Sequence, residues 1–276
     1  MIETYKKQLT NIGKYISPNF NIDNPKTIQE KIQWLKLYDC TPLKTKCADK
    51  IKVHDYCKEK LGKDICVPII KIYNKTDEIN WEELPDRFVI KCNHGSGMNI
   101  IVKDKKLLNK QDAVNKLNIW MRTDFAFQNG YEYHYHDIER KIFAENFIGK
   151  DKGDLVDYKF SCFNGVPKIL QVMCDRYSGR LRLNYYDMDF KPLYCSRNDH
   201  PANYNITDEK PNGFDLMVWY SKILSKDFKY VRVDFYEVNG VVYLGELTFT
   251  PGSGFFKYND DKWSLLFGEW LDLNKN

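Results

Sequence analysis

Apolar positions recur along this chain in two periods, and the change from one to the other divides it. In "TIQEKIQWLKLYD" Ile28, Ile32, Leu35 and Tyr38 fall on one face at helical spacing, with Asn24-Pro25 as a turn before them. "CADKIKVHDYCKEKLG" repeats the pattern at Ile51, Tyr56 and Leu61, and Gly62 is placed to cap the helix. From "ICVPIIKIYN" onward the period shortens to that of strands, interrupted there by Pro68. "DRFVIKCN" and "NIIVKDK" read as two strands around a glycine turn. Residues 107–122 read as an amphipathic helix with Leu108, Val114, Leu117 and Trp120 on its apolar side, and "KIFAENFIG" as a short strand entering a loop. Two hairpins follow, with Asn164-Gly165 and Asn239-Gly240 as their turns. Residues 212–226 and the tail "WSLLFGEWLDL" are predicted helices. Helices first, then antiparallel hairpins with helices between them, predict an α+β fold, not an alternating parallel one.

A length of 276 residues supports one or two domains, and 43% hydrophobic with 29% charged residues is the composition of a globular protein. The net charge of +4 makes no case for a nucleic-acid partner, so an anionic ligand needs local clusters of Lys and Arg. The first residues lack a continuous apolar segment of the signal-peptide kind, and no run is long enough to span a membrane, so a cytoplasmic protein is expected. Eight cysteines without a CxxC pair fit buried thiols in a reducing compartment, and a zinc site is not expected.

Four stretches carry candidate chemistry. After Lys91 comes "CNHGSGMN", which fits neither GxxxxGK[ST] nor GxGxxG. Gly95, Ser96 and Gly97 can still turn backbone N–H groups toward an anion, or they form a tight hairpin with a surface lysine. In "VRVDFYEVNGVVYLGELTF" the turn places Asp234 and Glu246 nearly opposite each other, with Arg232 on the same face. Two opposed carboxylates suit Mg²⁺, and a surface ion ladder is the alternative. "DYKFSCFNG" puts Asp157, Lys159 and Ser161 on one face, and Arg176 flanks the same hairpin. These charges serve a polyanion or are solvated. "IFAENFIG" offers Glu145, Asn146, Phe147 and Ile148 to an adenine ring. His134 and His136 lack an evident third metal ligand, and Asp187-Met188-Asp189 reads as a turn.

The order of these pieces resembles the ATP-grasp superfamily. "ADKIKVHDYC", "LPDRFVIKCNHGSG", "IFAENFIG", "DYKFSCFNG" and "GELTFTPGSGF" resemble the TupA-like ATP-grasp family of teichuronopeptide and capsule biosynthesis, over roughly residues 30 to 260. The resemblance implies two α+β lobes with antiparallel sheets holding ATP between them. It divides the chain into an N-terminal helical region (1–70), a small lobe with the lid (71–148) and a C-terminal lobe with the metal site (149–276). It implies that Lys91 contacts phosphates, that Gly95, Ser96 and Gly97 form the lid, and that Glu145, Asn146, Phe147 and Ile148 form the adenine hinge. Asp151 or Asp154 then reaches the ribose, Lys159 faces the phosphates or the acceptor, and Asp234, Glu246 and Thr248 hold Mg²⁺. Thr248 stands where many members carry a metal-binding asparagine. His54 stands where a second basic residue is expected, with Lys50 as its competitor. Few residues precede the ADK motif, which leaves little room for the usual N-terminal domain. The implied activity is an ATP-dependent carboxylate–amine ligase, with Arg232 or Arg176 stabilising an oxyanion and a uronic acid as the small-molecule or polysaccharide-precursor substrate. A sugar kinase on the same cradle is the runner-up, and a glycosyltransferase or sugar-binding capsule protein the third reading.

Overall fold

Four helices lead the chain in the computed structural model, which describes residues 2–149, 155–175, 181–206 and 208–275. They are α1 (Ile2–Gly13), α2 (Ile28–Tyr38), α3 (Pro42–Ala48) and α4 (Val53–Leu61). Local chemistry sets their ends. The Thr27 hydroxyl accepts from the Glu30 backbone N–H while the Glu30 carboxylate accepts from Thr27 N–H, a reciprocal cap on α2. Thr41 caps α3 with Pro42 in its first turn, and Gly62, at φ 70°, ends α4 in the left-handed conformation glycine tolerates. α1 has no counterpart among the predicted elements, because only Leu9 and Gly13 of it are buried and its apolar stripe is correspondingly thin.

A four-stranded antiparallel sheet follows, built from β1 (Ile69–Tyr73), β2 (Phe88–Cys92), β3 (Asn99–Val102) and, after helix α5 (Lys110–Arg122), β4 (Ile142–Asn146), in the order β1-β4-β2-β3. The second sheet has five strands: β5 (Asp157–Phe163), β6 (Val166–Cys174), β7 (Arg182–Tyr186) and, after helix α6 (Phe214–Ser225), β8 (Tyr230–Val238) and β9 (Val241–Thr248). Its order is β7-β6-β5-β8-β9, again antiparallel throughout. Helix α7 (Asp261–Glu269) closes the described chain. Both Asn-Gly turns have positive φ at each central residue, 46° and 80° at the first and 52° and 76° at the second. That geometry matches the strand twist and fixes the register of each hairpin.

Alternation along the second sheet decides what each face does. Phe160, Cys162, Val231, Val233 and Phe235 are fully buried and join the cluster that includes Phe214, Met217 and Leu224 of α6. On the opposite face Phe163, Ile169, Leu183, Tyr185 and Tyr230 pack with Ile28, Ile32 and Leu35 of α2 and Phe267 of α7. That second face is apolar only in part, and its polar remainder carries the site. Helix α2 also departs from the simple stripe. Tyr38 is exposed, whereas Gln29, Gln33 and Lys36 are buried, because this side of the helix meets backbone carbonyls of loops instead of side-chain hydrocarbon.

The approach of α7 to the start of α2 is closest at Gly268, where a Cβ atom would stand 1.9 Å from the Lys26 carbonyl oxygen. The obstacle is backbone, so relief requires one helix to move. Gly268→Ala is expected to cost about 1–3 kcal/mol, the usual range for overpacking. Urea denaturation checks this, and an unchanged midpoint and slope would contradict such close contact.

Candidate active site

Asp234 pairs with Glu246 in the β8–β9 register, as the turn count predicts. The two arms are unequal, and a bulge next to Asp234 absorbs the odd residue, leaving Gly245 unpaired. A Cβ there would meet the Tyr236 ring at 2.8 Å, so glycine suits the position. The pairing of β5 with β8 completes two adjacent rungs on one face. Lys159, Asp234 and Glu246 form one, and Ser161, Arg232 and Thr248 form the next.

These rungs hold a network of charges. Arg232 donates from Nε and Nη2 to the two carboxylate oxygens of Asp234, each at 2.6 Å. Lys159 Nζ bridges Asp234 at 2.7 Å and Asp157 at 2.9 Å. Asp234 and Lys159 are both buried, at 2% and 4% exposure. Glu246 keeps 29% of its side chain exposed and meets Lys50 at 3.3 Å and Arg232 at 3.5 Å. The Thr248 hydroxyl donates to Glu246 at 2.9 Å and accepts from Arg232 at 3.2 Å. Burial pushes the Glu246 carboxyl up, but Lys50, Arg232 and Lys159 outweigh it and hold the group well below the usual carboxylate range.

The glycine turn reaches the same place from the other sheet. Its base is tied to the helices: Asn93 Nδ2 donates to Asp49 Oδ1 at 2.9 Å, and the Lys50 N–H donates to the Asn93 carbonyl at 3.2 Å. Asp49 Oδ1 also accepts from Ile51 and Lys52, which shapes the break between α3 and α4 and leaves Lys50 free to reach Glu246. Gly95 lies against Phe125, where a Cβ would come within 2.8 Å of the ring, and Gly97 has φ 74°. His94 points inward: it is buried, and its Nε2 lies 3.1 Å from the Trp120 carbonyl near the end of α5. Lys91 forms an ion pair of 2.5 Å with Glu145 on β4. Asn146 is exposed, and the Arg87 guanidinium lies over the Phe147 ring at 4.3 Å; Ile148 follows in the connection out of the small sheet. His54 is held by Asp64, with Nδ1 2.8 Å from a carboxylate oxygen. Cys66 joins them, the three ligand atoms lying within 4.8 Å of one another, so folding assembles from α4 and its exit a donor group that sequence spacing does not display. Arg176, Asp151 and Asp154 lie outside the described residues.

Between the sheets lies a cavity of about 420 Å³. Ser96 of the glycine turn, Arg232, Glu246 and Thr248 line it. Glu132 and Tyr135, together with the 250–255 loop, complete the lining. Glu132 and Tyr135 come from "YEYHYHDIER", where sequence reading attends to the histidines. His134 is part of a 3₁₀ turn, Tyr133–Tyr135, and is buried, with its imidazole pushed down to about 3 by desolvation. His136 is bonded to Asp124 at 2.7 Å. Asp187 and Asp189 form the expected turn, in which Asp187 Oδ1 accepts from two backbone N–H groups. Lys36, also missed, donates to the carbonyls of Gly130 at 2.7 Å and Ser253 at 2.6 Å and so pins together two loops of the cavity wall.

A protein-family model described as TupA-like ATPgrasp matches residues 30–272. Among solved structures, the chain is similar to a D-alanine–D-alanine ligase from Bacillus anthracis complexed with ATP, at 18% identity over 75% of this chain and 54% of that one, with a TM-score of 0.41. It is similar to the D-alanine–D-alanine ligase from Helicobacter pylori at 18% identity, over 82% and 61% of the two chains, with a TM-score of 0.42. An L-amino acid ligase from Bacillus licheniformis matches at 12% identity over 91% of this chain and 54% of its own, with a TM-score of 0.47. The chain thus spans between 54% and 61% of the length of these structures. No curated protein matches it.

The buried network makes a measurable demand on stability. Asp234→Asn leaves Lys159 and Arg232 without their shared counter-charge, and breaking a buried pair this way is expected to cost about 3–5 kcal/mol. Asp187→Asn, in an exposed turn, is expected to stay within about 0.5 kcal/mol of wild type. Equal urea midpoints for the two variants would show that the network contributes nothing.

Proposed function

Because this chain belongs to the TupA-like ATP-grasp family, we propose that it is an ATP-dependent ligase joining a carboxylate to an amine through an acyl phosphate. The observation that carries this reading is the pair of rungs, Lys159–Asp234–Glu246 and Ser161–Arg232–Thr248, of which Arg232, Glu246 and Thr248 line a cavity that Ser96 of the glycine turn also lines. Phosphoryl transfer asks for positioning and charge neutralisation more than for a strong nucleophile, and these groups are suited to that.

The donor set suits a hard cation. Asp234, Glu246 and Thr248 offer only oxygen, and two of the three are carboxylates in register. Glu246 and Thr248 already line the cavity, whereas Asp234 lies behind Arg232, so Asp234 joins them only when Arg232 releases it. Magnesium bound there neutralises phosphate charge. In this reading Lys91 and Lys159, with Lys50, meet the phosphates, and the backbone of Gly95, Ser96 and Gly97 covers them and excludes water. Glu145, Asn146, Phe147 and Ile148 receive the adenine. Arg232 then stabilises the oxyanion that develops at the acyl carbon. The acid is a uronic acid of a cell-surface polysaccharide precursor, a reading supported by the family's association with capsule and teichuronopeptide synthesis.

The test is an incubation of the protein with ATP and Mg²⁺ and a matrix of uronates (glucuronate, galacturonate, mannuronate) and amines (glycine, alanine, glutamate, lysine). Equal ADP and free phosphate, with both acid and amine required, is the expected result. ADP with a phosphorylated sugar and no free phosphate would make the protein a kinase instead. Lys91→Ala is expected to lower turnover about 10²–10³-fold, the usual cost of removing one charge-stabilising donor.

A further inference from the structure

One charged group in the cavity is left over by the phosphate chemistry. Glu132 lines the cavity without belonging to the charged rungs, just before the 3₁₀ turn Tyr133–Tyr135, and is 5% exposed. Its carboxylate accepts a hydrogen bond from the Thr250 hydroxyl and, among the described residues, makes no ion pair. Buried carboxylates normally have a cation or several donors, so one with a single neutral donor, facing a cavity, is missing a partner.

The surrounding charges do not supply it. Lys36 of α2 influences Glu132 electrostatically, but its ammonium is spent on the Gly130 carbonyl and on the carbonyl and hydroxyl of Ser253. Desolvation lowers the hold of that ammonium on its proton. Arg232 of β8 is committed to Asp234, and Glu246 of β9 adds a like charge. Burial first, and then Glu246, raise the Glu132 carboxyl above its ordinary value, against the opposing pull of Lys36 and Thr250. A carboxylate so placed gains by meeting a cation and by taking a proton.

We propose that Glu132 receives the amine substrate, binding its ammonium group and taking the proton whose loss makes the nitrogen nucleophilic. This inference rests on the ligase reading and extends it to the class of the second substrate: a primary amine that enters as a cation, as an amino acid does. In the step itself R′NH₃⁺ gives one proton to the Glu132 carboxylate. The nitrogen lone pair forms the C–N bond at the acyl phosphate, the C–O bond to phosphorus breaks, and the departing phosphate takes the second nitrogen proton and leaves as HPO₄²⁻. Tyr135, which also lines the cavity, lies near enough to feel both Glu132 and Glu246, so the proton acceptor and the phosphate end share one space.

Glu132→Gln keeps the shape and the acceptor for Thr250 while removing the charge. The experiment compares two nucleophiles on the same uronates: the amines of the matrix above, which are ammonium ions at neutral pH, and hydroxylamine, which is largely uncharged and needs no proton removed before it attacks. With the amines, Glu132→Gln is expected to raise KM and slow amide formation about 10²–10³-fold, within the range for losing a general base. Hydroxamate formation is expected to change less than about threefold on the same ground, which also shows that the variant is folded. Equal loss with both nucleophiles would make Glu132 a structural support of the wall and overturn the inference. Unchanged rates with both would overturn it too. A wild type that forms neither ADP nor hydroxamate with any of these uronates would overturn the ligase reading itself, a result distinct from failure at Glu132 alone.

Discussion

Arg232, Asp234 and Lys159 can share one buried patch only because each charge there has a partner at hydrogen-bond distance. Taking such groups out of water costs several kcal/mol per ion, and the fold must recover this through geometry. Much of the second sheet can be understood as that geometry. β8 lies between β5 and β9 so that Asp234 has Lys159 on one side and Glu246 on the other. The reverse face of the same strands is hydrocarbon packed under α6, which holds the rungs flat and in register. The result is a set of charges already desolvated and oriented, the condition under which electrostatic interactions count most in catalysis.

The loops that complete the cavity are held by different means. No strand places Glu132; it is positioned by the Thr250 hydroxyl and by its own N–H donating to Ala126, with Lys36 pinning the loops at either side. The rungs are therefore set by strand register, and the loops by a few hydrogen bonds, two of them from a buried lysine. The glycine turn that meets them is anchored at its base by Asn93 on Asp49 and kept open at its tip by Gly97.

What the sequence made legible follows from this division. The two hairpins were readable because period-two alternation and Asn-Gly turns are local signals, and Asp234, Glu246 and Arg232 could be placed on one face by counting. Family resemblance carried the fold further than counting could. Lys36 was not readable, because a lysine next to an apolar stripe looks solvated, and only the loops folded over α2 explain its burial. Glu132 was hidden for the same reason: its meaning comes from Thr250, 118 positions away. His54 stands by its place in a motif where a second basic residue is expected, and His94 has no role that the motif assigns; the fold sets them against Asp64 and the Trp120 carbonyl, contacts that no short-range pattern encodes.

The unpaired Gly245 sets a rule for how a gene encoding this hairpin can change. Among the described residues, Tyr236–Val238 and Val241–Tyr243 pair only with each other, whereas β8 from Phe235 back to Tyr230 pairs with β5 as well. Residues added to the two arms beyond the bulge in matched pairs lengthen the ribbon and leave Asp234 facing Glu246. One residue lost at the bulge makes the two arms equal and leaves Glu246 opposite Asp234 in a regular ladder, whereas one residue lost from the β8 arm alone shifts the lower register by a step and turns Asp234 away from Glu246. The ribbon's length towards the tip is thus open to paired change, and Gly245 is the one place in β9 where a single residue can go without parting Asp234 from Glu246.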